Sequence, residues 1–154
     1  MDTTRNKDIV RRFYEEVINT GNTETIADFI SPGLIETDGL IRAHSGIQGM
    51  IDHVQGVRKT YPDLSLTIER QIAEGDWVVS IIIAQGTHCG EWLGIAPTGR
   101  KLVYSGVNVD KVVDGKMVEH GGAANLLGPL LEAGAIRVVG QPITGASSPS
   151  TPHS

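Results

Sequence analysis

The sequence predicts an α+β domain in which helices come first and a curved antiparallel sheet follows. Two observations indicate this order. Residues 6–61 carry apolar side chains at helical spacing, whereas residues 64–120 are rich in β-branched residues and are divided by turn signals. If three helices wrap one face of a bent sheet, side chains cannot fill all the space between the layers. We therefore expect a cone-shaped pocket that binds a small apolar molecule.

Three N-terminal helices are predicted, each from an apolar stripe and a stop signal. The first, at residues 6–20, places apolar side chains on one face and charged side chains on the other. The second is short, begins after Thr23, and stops at the Ser-Pro-Gly of residues 31–33, where proline removes a backbone donor. The third runs from about Ile47 to Tyr61 and is closed by the Pro-Asp pair that follows.

Four strands are predicted after the helices, at about residues 64–73, 77–88, 101–113 and 116–120. An Asp-Gly pair between the last two predicts a tight turn. The segment WVVSIIIAQG, within the second strand, is apolar on both faces. We expect the helices to cover one face and a partner subunit to cover the other, which predicts a homodimer.

The end of the chain is predicted to contain one more helix, LLGPLLEAG, and then a tail. The last segment, QPITGASSPSTPHS, lacks the apolar residues that folding requires, so we expect it to be disordered. The predicted division is a domain at residues 1–137 and a disordered tail at residues 138–154.

Composition argues against several classes of partner. The net charge is −5, with thirteen basic and eighteen acidic residues and no basic run, which argues against nucleic-acid binding. There is no signal-like apolar segment and no apolar stretch near the roughly 20 residues of a membrane span, so we expect no membrane partner and a cytoplasmic location. A single cysteine, Cys89, excludes an internal disulfide and suits a reducing compartment.

Five segments occur in a recognisable order along residues 5–136: NKDIVRRFYEEVINTGN, TYPDL, AEGDWVV, THCGEWLGIAPTGRKLVYSGVNV and VVDGKMVEH. Together they resemble the SnoaL-like polyketide cyclases, which have the nuclear-transport-factor-2-like (cystatin-like α+β) fold. The resemblance implies a small dimeric enzyme of specialised metabolism, an isomerase or lyase, that uses neither a metal nor an organic cofactor. It also implies ring closure by intramolecular aldol condensation.

The resemblance also locates the family's acid and base. Such chemistry needs a base that removes a proton beside a carbonyl and a donor that holds the enolate oxygen. The family's histidine and aspartate fall on Asn108 and Gly122, a further acidic position on Asn125, and an arginine on Ile81. Because this chain lacks those ionisable groups, other side chains must carry out the reaction if the chain is an enzyme.

Two histidines are the candidates. Helical spacing puts His53 at the edge of the buried stripe of the third helix, where the resemblance implies a cavity wall, and His120 ends the last strand. Each could instead have a purely structural role. A neutral histidine in an apolar pocket keeps one ring nitrogen able to accept a proton. We expect one ring to act as base while the other, with Asn108 or Asn125, donates to a carbonyl, epoxide or hydroxyl oxygen.

The predicted pocket wall consists of residues on apolar stripes, on inward-facing strand positions or near the pocket mouth. They are Tyr14, Val17, Phe29, Met50, Val57, Tyr61, Ile81, Ile83, Gln85, Trp92 and Tyr104. The HCGE segment at residues 88–91 does not predict a metal site, because neighbouring strand residues project to opposite faces. No metal site and no cofactor are therefore expected.

Three functions agree with these features. The first is cyclisation or isomerisation of a small apolar, polycyclic carbonyl compound by proton transfer. The second is opening of an epoxide in the same pocket. The third is binding of such a metabolite by a dimer that has lost the family's acid and base.

Overall fold

The computed structural model describes residues 2–38 and 41–140, and its elements confirm the α+β class. The helices are α1 (Thr3–Phe13), which continues into a π-helical turn (Tyr14–Ile18), α2 (Ile26–Phe29), α3 (Gly46–Thr60) and α4 (Leu127–Glu132). The strands are β1 (Ile30–Asp38), β2 (Ile41–His44), β3 (Ser65–Glu74), β4 (Trp77–Thr87), β5 (Lys101–Val113) and β6 (Lys116–Ala124).

The six strands form one sheet in the order β2-β1-β6-β5-β4-β3. Strands β1 and β6 run parallel, whereas the other neighbouring pairs are antiparallel. The four predicted strands, β3 to β6, pair antiparallel as expected, but the sheet as a whole is mixed because the unpredicted strand β1 runs parallel to β6. As predicted, the second helix ends before the Ser-Pro-Gly at residues 31–33, at Phe29. That segment also forms the irregular first part of β1, between the pairings of Ile30 and Ile35 with β6.

The two faces of the sheet differ. On β4 and β5 the even-numbered residues, such as Val78 and Val112, are buried in the core, and the helices pack against this inner face. The odd-numbered residues project to the opposite, outer face, where Trp77, Val103 and Val107 are exposed. Helices therefore cover only one face of the apolar strand β4.

An apolar core lies between the helices and the inner face. Val10 and Phe13 of α1 and Met50 and Val54 of α3 are almost completely buried in it. Two grooves lie elsewhere, one of about 480 Å³ on the outer face beside Trp77 and one of about 500 Å³ between α1, the π-helical turn and β3. Neither is the predicted cone-shaped pocket, which stays a prediction.

Within the described ranges, no helix is long and apolar enough to cross a membrane. Most of the predicted disordered tail, residues 141–154, lies outside the described residues. The domain boundary at residue 137 stays a prediction.

Candidate active site

Three ionisable side chains lie in one row across three neighbouring strands. Glu36 of β1 is paired with His120 of β6, and His120 is paired with Asp110 of β5. Because paired residues of adjacent strands project to the same face, all three point to the inner face, where the helices lie. The strand register alone therefore brings two carboxylates to either side of one imidazole.

Asp110 and His120 form a buried hydrogen-bonded pair. Asp110 is fully buried and His120 is 8% exposed. His120 Nδ1 lies 2.7 Å from Asp110 Oδ1, and the Tyr14 hydroxyl donates to Asp110 Oδ2 at 2.7 Å. Since a carboxylate can only accept, Nδ1 carries the proton of the neutral imidazole. This leaves Nε2 of His120 as the nitrogen that can accept a proton.

The π-helical turn supplies Tyr14. Tyr14 is its first residue, directly after α1, and its ring is buried. Such a widened turn changes the direction of side chains relative to a regular helix and occurs often at functional sites. Burial, reinforced by the charge of Asp110, raises the pKa of Tyr14 well above its ordinary value. The hydroxyl therefore stays protonated and acts as a donor to Asp110.

Glu36 and His53 form a second pair, nearer the solvent. His53 Nδ1 of α3 lies 2.7 Å from Glu36 Oε1, and the two side chains are 40% and 23% exposed. The hydrogen bond from His53 lowers the pKa of Glu36, although partial burial opposes this. An ionised Glu36 accepts the Nδ1 proton, so Nε2 of His53 remains available for a ligand.

The two histidines face each other. Their ring centroids are 5.6 Å apart and their planes are inclined by 70°. Burial lowers the pKa of His120, but the carboxylates of Asp110 and Glu36 outweigh it and raise that pKa above its ordinary value. The site thus presents two imidazoles, each held by a carboxylate, that could receive and return protons on one substrate.

The two predicted asparagines lie at different distances from this pair. Asn108 projects to the inner face of β5, two residues before Asp110. Asn125 is exposed beyond the end of β6, five residues after His120, which is about 16 Å along a strand. The structure brings Asn108 near the histidines and does not bring Asn125 there.

Several residues that were predicted to line the pocket either lie in the apolar core or face away from the histidines. Val17, Phe29 and Met50 are buried in the apolar core, and Val57 packs against it. Three other predicted wall residues occupy odd-numbered positions of β4 and therefore lie on the outer face, on the opposite side of the sheet from the histidines. They are Ile81, Ile83 and Gln85.

A second aromatic cluster contains Tyr61 and Tyr104, with ring centroids 6.1 Å apart, and the ring of His88 is 5.9 Å from that of Tyr61. Burial, together with the neighbouring Tyr61, raises the pKa of Tyr104 to about 12. Among the residues that the structure describes, the buried Tyr61 hydroxyl has no hydrogen-bond partner. Trp92 is 40% exposed in the connection between β4 and β5.

Sequence reasoning missed Glu36 and Asp110. Asp110 carried a signal, since it is an acidic residue at an even position of β5, in the same alternation that places the apolar residues Leu102 and Val112 on the inner face. Glu36 lay in a segment for which no strand was predicted. Its position beside His120 depends on the parallel pairing of β1 with β6, which no local pattern indicates.

Comparisons with known proteins agree with this fold. The family model described as SnoaL-like polyketide cyclase matches residues 8–132. Aklanonic acid methyl ester cyclase AcmA of Streptomyces galilaeus is 35% identical over 117 residues, covering 72% of this chain and 78% of that protein. Nogalonic acid methyl ester cyclase of Streptomyces nogalater is 30% identical over 118 residues, covering 75% of this chain and 88% of that protein.

Solved structures show the same architecture. AclR of Streptomyces galilaeus superposes with a TM-score of 0.76 at 28% identity, covering 90% of this chain and 86% of that chain. TsrD of Streptomyces laurentii also gives a TM-score of 0.76, at 25% identity, covering 88% of this chain and 99% of that chain. The match over residues 8–132 and the 35% identity to AcmA together show that this chain belongs to the SnoaL-like polyketide cyclase family.

Proposed function

We propose that this protein closes a ring in a polycyclic polyketide ester by intramolecular aldol condensation. The substrate class is suggested by the relatives, which are cyclases of aklanonic and nogalonic acid methyl esters. The observation that carries the proposal is the pair of facing imidazoles, 5.6 Å apart, each hydrogen-bonded to its own carboxylate. An aldol closure needs one base and one acid and is redox neutral, which suits such a pair.

In the proposed reaction, His120 is the base. Its Nε2 removes a proton from a carbon beside a carbonyl, and the electrons of the broken C–H bond form an enolate. Asp110 stabilises the imidazolium that results and holds the ring in the required orientation, as a buried carboxylate does in other histidine pairs. Tyr14 in turn orients Asp110 through its hydroxyl.

His53 is the proposed acid. The enolate carbon attacks a second carbonyl carbon of the same molecule, a carbon–carbon bond forms, and the new alkoxide takes a proton from Nε2 of the protonated His53. Glu36 orients the His53 ring through its hydrogen bond to Nδ1. Transfer of a proton from His120 back to His53, directly or through one water, restores the starting state, so no proton is gained or lost overall.

Turnover of aklanonic acid methyl ester by the wild type and by histidine variants tests this function. We expect His120→Ala and His53→Ala each to lower kcat by about 10²–10⁴-fold, the usual contribution of a positioned acid or base. His44→Ala is the control, since His44 is exposed on β2. Full activity in both site variants would contradict the mechanism. Binding of the ester without conversion by the wild type would support the non-catalytic alternative.

We also propose that the protein is a homodimer joined through the outer face of the sheet. Trp77, Val103, Val107 and Val109 are between 37% and 54% exposed there. Val107 is paired with Ile81 and Val109 with Val79, so apolar side chains adjoin one another across β4 and β5. Large exposed apolar surfaces of this kind are typical of subunit interfaces.

A further inference from the structure

We propose that Glu36, His53 and His120 form a binding site for a divalent transition-metal ion, with Zn²⁺ as the preferred ion. One possible ligand atom from each residue lies within 4.8 Å of the other two. Zinc holds nitrogen and oxygen ligands at about 2.0–2.2 Å, which places them roughly 3–3.5 Å from one another. Closing the three ligands on one ion therefore requires side-chain movements that shorten their separations by up to roughly 1–2 Å.

The ligand set matches the chemistry of such ions. Two imidazoles and one carboxylate are a common protein ligand set for zinc and for other first-row metals, with further positions left for water or a ligand oxygen. The three residues come from β1, α3 and β6, so their backbones are fixed by separate elements of the fold. A site held in this way loses little conformational entropy when it binds an ion.

The hydrogen bonds that hold His120 are a second, independent observation in favour of a metal site. Histidines that bind metals almost always donate their other ring N–H to a carboxylate or carbonyl, which fixes the tautomer. His120 Nδ1 makes this contact to Asp110 at 2.7 Å, and Asp110 also accepts from Tyr14. Because Asp110 holds Nδ1, Nε2 is the ring nitrogen of His120 that is left to bind an ion.

The negative charge at the site and its access from solvent also favour the binding of a cation. Glu36 and Asp110 are two carboxylates on either side of His120, so a divalent ion would balance their charge next to the buried His120 and Asp110. His53 is 40% exposed and provides a route from solvent. A metal ion would occupy Nε2 of His120, the atom that the proposed reaction uses as base. We therefore expect bound Zn²⁺ to inhibit turnover.

Cobalt binding tests the site without using activity. Tag-free protein is titrated with Co²⁺ while the visible absorption band of the bound ion is measured. Zn²⁺ is then added to displace the cobalt and remove the band. We expect one Co²⁺ per chain, with affinity at least tenfold weaker in Glu36→Gln, His53→Ala and His120→Ala. Asp110→Asn should weaken binding about 10–100-fold, as removal of an outer carboxylate does. His44→Ala should bind like the wild type.

Circular dichroism of each variant checks that it is folded. No cobalt band in the wild type, or unchanged affinity in folded His120→Ala, would overturn the inference. The result is separate from the proposed function, because turnover is measured with EDTA present. A protein that cyclises the ester in EDTA but binds no cobalt has the function without the metal site. A protein that binds cobalt but does not cyclise the ester has the metal site without the function.

Discussion

Asp110 accepts two hydrogen bonds inside the core, one from Tyr14 and one from His120. A buried carboxylate that loses a donor keeps its desolvation cost without compensation. The site and the fold therefore depend on the same contact, and effects on stability and on activity must be measured separately at these residues.

Tyr14→Phe should lower the free energy of unfolding by about 1–3 kcal/mol, because one oxygen of Asp110 is left without its partner. Urea denaturation measures this change. Tyr61→Phe is the matched control, since the buried Tyr61 hydroxyl has no partner in the described chain. It should leave stability unchanged or raise it. Equal destabilisation by the two variants would contradict the role assigned to Tyr14.

Asp63 predicts a pH dependence of stability outside the active site. Its carboxylate accepts from the Thr87 backbone N–H at 2.6 Å and from the Thr87 hydroxyl at 2.7 Å, which lowers the pKa of Asp63. A pKa that is lower in the folded state means that ionised Asp63 stabilises the fold above its unfolded pKa. This stabilisation is lost as the pH falls through the folded value.

Asp63→Asn should therefore destabilise the protein more at pH 7 than at pH 2.5. The lower pH is below the pKa of roughly 3.9 that is expected for an aspartate in the unfolded chain. Urea denaturation of both proteins at the two pH values gives the comparison. A difference between wild type and variant that is the same at both pH values would show that Asp63 is not stabilised as an anion.

At the scale of elements, β6 determines the geometry of the site, because its pairing with β1 and β5 sets the row that contains Glu36, His120 and Asp110. The sequence predicted β3, β4 and β5 to within one residue at each end, since β-branched runs bounded by turns are strong local signals. It did not predict β1 and β2, because Pro32 and Gly33 interrupt the pattern.

The same reasoning explains which part of the site was predictable. His53 and His120 could be proposed from helical spacing and strand position. Their carboxylate partners could not. Glu36 contacts His53 between a strand and a helix, and a bulge between Lys111 and Val112 shifts the β5–β6 register that pairs Asp110 with His120. Spacing along one element gives the face on which a residue lies, but not the residue that it meets.

Gly122→Ala tests the close packing of β6 against β5. A Cβ at this position would lie 2.4 Å from the Val107 carbonyl oxygen and 2.6 Å from Asn108 Oδ1. We expect destabilisation of about 1–3 kcal/mol, as for other overpacked sites. Gly128→Ala is the control, since nothing in the described structure lies within 4 Å of a Cβ there. Thermal unfolding in which Gly122→Ala is as stable as Gly128→Ala would contradict this packing.

This packing also bears on the family's usual acid. The resemblance places an aspartate at Gly122, but a side chain there would collide with β5 in the present structure. The Asp110–His120 and Glu36–His53 pairs offer ionisable groups one row away on the same face. The chemistry proposed for this chain therefore does not require the missing aspartate.

At the scale of the whole molecule, the sheet separates two proposed roles. Its inner face carries the histidines beneath the helices, and its outer face carries the exposed apolar surface. Substitutions on the outer face should therefore change assembly without changing the ionisable residues of the site.

Val107→Glu should convert the proposed dimer to a monomer, because it places a charge in the apolar interface. Light scattering coupled to size-exclusion chromatography measures the molar mass. Val139→Glu is the control, since Val139 is 94% exposed and lies beyond α4. A wild-type mass near the 16.5 kDa of one chain would contradict the dimer.

The central claim is that a carboxylate-held His120 acts as the base, and the kcat of Asp110→Asn with aklanonic acid methyl ester tests it most directly. An amide can donate to Nδ1 and so move the proton of the neutral ring to Nε2, where it blocks proton acceptance. We predict that kcat falls by about 10²–10⁴-fold while KM changes little. A folded Asp110→Asn variant with kcat within twofold of the wild type would contradict the account.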